Sequence, residues 1–256
     1  MKRELLKSRI TGILALLIIP MFLIQILPGI IYDCGMNILA ASILSSFVTI
    51  LFSIFFSWKM VKEPVKLNIP KPIVICFFVV ITLLFILVDQ VLFIWINSHI
   101  SDPGMEARAA SIGSMNLEKY WIFYLLYGVI LAPISEECLF RITLYRYLKK
   151  SFSWITALVM SSVMFGLIHM TISHLITATL FGIILVLIME HTDCIWITIV
   201  CHIAYNLGTL CVTGNEMASL ADSTVMTFLV FLAFIFLIGI CIAKQDARMK
   251  DETDKS

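Results

Sequence analysis

Charge is what this sequence has least of. Only 14% of its 256 residues are Asp, Glu, Lys or Arg, where a soluble domain carries about a quarter. The net charge of +1 lacks the basic field that nucleic acid demands, so no nucleic-acid partner is expected. Seven cysteines are present, at Cys34, Cys76, Cys138, Cys194, Cys201, Cys211 and Cys241, but no CxxC pair. A zinc knuckle or disulfide framework is therefore not indicated, and the cysteines read as small apolar packers. There is no HExxH and no GxSxG, so helical zincin and serine-elbow chemistries lack their motifs. No GxGD follows Tyr32-Asp33, which leaves an aspartyl mechanism without its second half. A Cys201–His202 dyad is disfavoured, because neighbours on a helix point apart. No internal repeat, low-complexity tract or soluble appendage interrupts the chain, which reads as one integral membrane domain over 1–256.

What is there instead is apolar length. Hydrophobic residues make up 61% of the chain, and mean hydropathy is +1.02. About 20 apolar residues cross a bilayer as a helix. Eight runs are candidates: 10–31, 37–58, 73–96, 120–145, 154–170, 174–190, 194–212 and 224–243. The first follows Lys2, Arg3, Lys7 and Arg9 without a small-residue cleavage site, and reads as a retained helix rather than a signal peptide. The expected fold is all-α, a polytopic transmembrane bundle of about eight spans.

Loop charge fixes an orientation for that bundle. With the N-terminus in the cytoplasm and strict alternation, 15 Lys and Arg fall inside and 2, Arg108 and Lys119, fall outside. This is the bias of the positive-inside rule, so both termini are expected in the cytoplasm. The longest outer loop is 97–119, around the helix-averse Asp102-Pro103-Gly104. Glu190, His191 and Asp193 read as a hydrated cytoplasmic turn, and 244–256 as a polar cytoplasmic tail.

Ionisable groups inside a membrane are costly, and they mark functional sites by default. Here they are Asp89, Glu136, Glu137, Arg141, His169, His174 and His202, with Asn206 as a polar companion. The densest group is Ser135-Glu136-Glu137-Cys138-Leu139-Phe140-Arg141, just after a Pro133 that should loosen the helix. Adjacent glutamates point about 100° apart on a helix. Glu137 and Arg141 are one turn apart in the favourable order for an ion pair, which leaves Glu136 facing elsewhere. Taken alone, the cluster can also be read as a structural staple between two helices.

Two further segments carry the argument on. Phe165 and His169 share one helix face, with Gly166 permitting close helix approach. His202 and Asn206 share another. A carboxylate that deprotonates water, imidazoles that orient it or protonate the leaving amine, and an amide that holds an oxyanion together suit peptide hydrolysis. A simple rise of about 1.5 Å per residue puts Glu136 and His202 at similar depth and His169 higher. His174, just past His169, reads as an outer-turn residue. Asp89 has no partner signature; Gln90, Asn97 or the active groove could satisfy it.

The three segments, Glu136 to Arg141, Phe165 to His169 and His202 to Asn206, stand as EExxxR, FxxxH and HxxxN. In this the chain resembles the CAAX protease and bacteriocin-processing (Abi-type) family of intramembrane glutamic endopeptidases, over about residues 120–210. The resemblance implies Glu136 as the water-activating base, His169 and His202 as catalytic histidines, and Asn206 as the oxyanion residue. Glu137, Arg141 and Phe165 take supporting roles. It implies a membrane-associated peptide or protein substrate within a lipid bilayer, in peptide maturation or bacteriocin self-immunity. No cofactor is certain, and zinc on Glu136, His169 and His202 is left open. The alternatives are a non-catalytic immunity or binding protein, or a small transporter, against which the absence of an inverted repeat speaks.

Overall fold

In a computed structural model, residues 18–63, 65 and 70–211 are described. Among them every regular element is helical: α1 Ile18–Asp33, α2 Ile38–Val61, α3 Pro72–His99, α4 Pro103–Ser114, α5 Glu118–Lys149, α6 Trp154–Leu167, α7 Ile172–Thr192 and α8 Ile195–Cys211. Four of these, α2, α3, α5 and α7, are long and apolar enough to cross a membrane. Helices α1, α6 and α8 are apolar but shorter. The run at 224–243, the start of the first run and the tail at 244–256 lie outside the described residues.

Helix α2 is largely inverted relative to a helix of a water-soluble bundle. Its buried positions are Leu39, Ala41, Ser42, Ser45, Ser46, Thr49, Ser53, Ser57 and Val61, mostly small and hydroxylated, while Phe47, Leu51, Ile54 and Phe55 are exposed. In water this arrangement would be unstable. In lipid it is the expected one, because tails solvate large apolar side chains as well as a core does. Small hydroxylated residues then let backbones approach, and they satisfy their hydroxyls locally. Ser42, Thr49 and Ser53 each donate to the carbonyl one turn earlier, at 2.7–2.9 Å.

The described residues fall into two compact units. The first holds α1, α2, α4, α5, α6 and α7 as far as Gly182, and the second holds α3, the rest of α7 and α8. In the first, α1 and α5 pack against α2, and α6 packs against the C-terminal half of α5. A charged cluster closes one end. Glu63, just beyond α2, pairs with Arg146 (3.6 Å) and Lys150 (3.3 Å) of α5. In the second unit, α3 packs along α8, where Gly208 meets the Ile86 and Leu83 side chains.

Three expectations need correction. The segment 97–119 is not a loop throughout: Pro103–Ser114 is helical, with Asp102 as N-cap and Pro103 at its first position, where a missing N–H costs nothing. Glu190 and His191 lie in the last helical turn of α7 rather than in a loop, and His191 packs edge-on against Phe78 (5.7 Å). Helix α6 ends at Leu167, so His169 sits in the following turn, ahead of a Met170 with positive φ (57°).

Candidate functional site

Helix α5 is irregular where it carries the glutamates. Regular α-helix over Ala132–Glu137 is flanked by stretches with wide i→i+5 turns, Leu126–Leu131 and Cys138–Tyr145. Pro133 lies at the start of the regular segment, and its missing N–H breaks the normal ladder just there. Wide turns of this kind concentrate at functional sites in membrane and soluble helices alike. Thr143 caps one of the displaced carbonyls, donating to Cys138 O and to Ser53 O of α2 (both 3.1 Å).

The two glutamates are divided as their helical phase requires. Glu137 and Arg141 form the ion pair (3.1 Å), at 0% and 1% exposure. Both charges are out of water, so neither could remain there alone. The Arg141 guanidinium also lies over the Phe165 ring of α6, 4.4 Å from its centroid. Phe165 meets Phe140 edge-on (5.2 Å) and His169 edge-on (5.4 Å). Phe165 O accepts a hydrogen bond from His169 Nδ1 (2.9 Å). Two of the sequence motifs are thereby one physical chain, Glu137–Arg141–Phe165–His169. A carbonyl can only accept, so His169 Nδ1 carries the proton, and Nε2 is the ring nitrogen left for other partners.

Glu136 is only half-buried, and it borders a small cavity of about 10 Å³, roughly the room of one water. Hydroxyls dominate the lining around it: Ser42, Ser46 and Thr49 of α2 and Tyr127 and Ser135 of α5. Tyr127 hydrogen-bonds Ser42 and feels the Glu136 charge. Sequence reasoning passed over this lining because none of it is charged. Its signal was present as hydroxyl residues at 42, 45, 46, 49 and 53, a helical repeat of small polar residues in an apolar run.

Helix α6 meets α7 closely at Gly166, as foreseen: a Cβ there would run into the Leu175 carbonyl and Thr179 Oγ1. His174 belongs to the first turn of α7. Its Nδ1 lies 2.7 Å from Thr171 Oγ1, and its ring stacks parallel on His169 at 5.9 Å.

The second unit carries the third motif. His202 is buried (3% exposed) and Asn206 is half-buried one turn later on α8. Between them Tyr205 hydrogen-bonds Asp89 of α3 and packs against Phe85 (6.2 Å). Gln90 also donates to Asp89 Oδ2 (3.3 Å), whereas Asn97 turns back to Phe93 O. Asp89 thus has a partner 116 positions away that no local pattern announces. Among the described residues, no three His, Cys, Asp or Glu gather as a metal-holding group. Cys138, Cys194 and Cys201 are buried as packers, while Cys34 and Cys76 are exposed.

These features define a helical membrane protein that carries a carboxylate on α5, an imidazole in the turn after α6, and an imidazole and an amide one turn apart on α8. Residues 118–208 match the Type II CAAX prenyl endopeptidase Rce1-like family. The matched segment contains all three motifs, and the resemblance read from them is thereby shown over that stretch. The chain is also similar to a protein of Bacillus subtilis (strain 168) described as "Putative membrane peptidase YdiL", at 32% identity over 77 residues. That stretch covers 30% of this chain and 32% of the relative, so the alignment spans about a third of either protein. No solved structure matches.

Proposed function

We propose that this chain is an intramembrane endopeptidase that cleaves a membrane-associated peptide or protein, with Glu136 as the general base. The observation that carries this reading is the division of the paired glutamates: Glu137 is neutralised by Arg141, while Glu136 faces a hydroxyl-lined cavity with room for about one water. The family match over 118–208 and the similarity to a described membrane peptidase point the same way.

In this mechanism Glu136 takes a proton from water, and the hydroxide formed attacks the scissile carbonyl carbon. His169 orients that water, and the proton taken by Glu136 passes through His169 Nε2 to the leaving amine as the C–N bond breaks, which returns Glu136 to its ionised form. His202 and Asn206 donate hydrogen bonds to the oxyanion of the tetrahedral intermediate. No step passes through a metal. We place the protein in the cell membrane, as the plasma membrane of a bacterium, as one domain of eight spans with both termini cytoplasmic. The loop-charge bias supports that orientation.

Terminal-peptide mass spectrometry tests the reading, on native cells carrying wild type or Glu136→Gln at equal membrane abundance. New termini seen only with the wild type are the expected result, falling by about 10²–10⁴-fold in the variant. Identical profiles in cells where deletion still has a phenotype would favour a binding or immunity protein instead. Retained cleavage by purified protein after exhaustive treatment with a zinc chelator is expected; loss restored by zinc would transfer the water to a metal on Glu136, His169 and His202.

A further inference from the structure

The turn that carries His169 is anchored at both ends by side chains that the mechanism does not use. Before it, the Gln25 side-chain amide of α1 donates to Ile168 O, and Ile168 is fully buried. After it, Asp102 reaches across from the start of α4. Its Oδ2 accepts from Ile172 N, the first residue of α7, at 2.6 Å, and its Oδ1 accepts from Gly104 N at 3.0 Å. One carboxylate therefore serves the N-terminal ends of two helices, where unsatisfied N–H groups and the helix dipoles favour a negative charge.

The contact is tight along its length. A Cβ on Gly104 would collide with Met170 O and lie 3.2 Å from Thr171 Cα. Met170, between His169 and the start of α7, holds a positive φ of 57°, which a non-glycine residue adopts only when its surroundings impose it. Ser173, fully buried, reaches Met105 Sδ at 3.7 Å. Thr171 N-caps α7 through its hydroxyl to His174 N (3.2 Å) and bonds the His174 ring. That ring stacks on His169.

We propose that Asp102 is a positioning residue for His169: its carboxylate clamps α4 onto the 168–172 turn and so sets the direction of the His169 imidazole. Gly104 is the second part of the clamp, since only a residue without Cβ lets α4 approach Met170 O. The importance of the clamp for cleavage rests on the reading of His169 as a catalytic imidazole; the clamp itself does not. Beyond Leu167 the turn keeps only short-range backbone bonds, His169 N to Gly166 O (3.1 Å) and Met170 N to Leu167 O (3.2 Å), in place of a regular α-helical ladder. Fixing both flanks from separate helices supplies the rigidity that an acid–base group needs.

The test uses the full-length protein in lipid nanodiscs with ¹³Cε1-labelled histidine. The chain has five histidines, and His169→Gln assigns the signal of interest. In wild type, His169 should give one signal. In Asp102→Ala, which removes both acceptors, that signal should move or split while those of His99 and His191 stay in place. Asp102→Asn keeps one acceptor but turns an NH₂ toward the other amide, so a smaller change is expected. Gly104→Ala should reproduce the Asp102→Ala change by pushing α4 away, and it serves if Asp102→Ala fails to fold. In cells, the yield of Glu136-dependent termini should fall by up to about a hundredfold in Asp102→Ala at equal abundance. An unmoved His169 signal in folded Asp102→Ala, or in Gly104→Ala in its place, overturns the proposal. A moved signal in a chain whose wild type generates no termini upholds the clamp and removes only the protease reading.

Discussion

Among the described residues each unit buries one acid, and the two are accommodated by different means. In the first, Glu137 is neutralised by Arg141, whose guanidinium is in turn covered by Phe165. In the second, Asp89 (3% exposed) is met by the Tyr205 phenol and the Gln90 amide. The first arrangement is local: an i,i+4 pair within one helix, extended by stacking to the next. The second joins two helices far apart in sequence. In lipid both are ways of keeping a carboxylate without water. The lesson lies in what each one orients. The arginine pair leads through Phe165 to His169, and the phenol sits on α8 between His202 and Asn206.

The contrast can be broken most forcefully at Arg141. Arg141→Met leaves Glu137 buried without its counter-charge, and the loss should be about 3–5 kcal/mol, read as a fall in the unfolding midpoint in detergent. The double change Glu137→Gln/Arg141→Met should recover most of that loss, since the penalty belongs to the orphaned charge rather than to the missing pair. Failure to recover would mean that the stack on Phe165, not the ion pair, dominates. Phe165→Leu probes this directly. It keeps apolar volume but removes the ring under the guanidinium, for an expected cost of about 1–2 kcal/mol. The same change should also move the His169 signal, because the ring it removes lies edge-on to His169.

The second unit should respond more gently. Tyr205→Phe removes one hydrogen bond to Asp89, and intramembrane hydrogen bonds average about 0.6 kcal/mol with a ceiling near 1.7 kcal/mol. Asp89→Asn keeps the geometry and drops the charge, and its effect should be the smallest of the set, at about 1 kcal/mol or less. A double-mutant cycle over the two positions should show non-additivity. Strict additivity would place Asp89 in a different interaction from the one with Tyr205. A loss at Asp89 as large as that at Arg141 would mean that Asp89 is ionised and held by charge, erasing the contrast.

The legible parts of this molecule were the periodic and local ones. Hydropathy located the α2, α3, α5 and α7 spans, because a bilayer demands length and composition whatever the packing. The ion pair of Glu137 and Arg141 could be read because both residues sit on one helix, four apart. The close approach at Gly166 could be read because a small residue in an apolar run has few other uses. The helix at Pro103–Ser114 was missed, since Asp-Pro-Gly reads as a breaker unless it is recognised as an N-cap with proline at the first position. The end of α6 at Leu167 was missed as well. Its nearby glycine, Gly166, lies inside the helix rather than after it, and the turn is bonded to Gln25 and Asp102 from elsewhere in the unit.

By itself, then, the sequence determined that the described residues form helices apolar enough for a membrane, and which acid would be neutralised by its own helix. Those facts follow from composition and from spacings of three to five residues, which the geometry of one helix enforces. Only the tertiary structure decided that Arg141 lies over Phe165, that Asp89 answers to Tyr205, that hydroxyls of α2 line the cavity at Glu136, and that Asp102 clamps the His169 turn. Each of these joins helices distant in sequence, through side chains common in any apolar run. Their partners are chosen by packing, and a single helix carries no record of which neighbour it will meet.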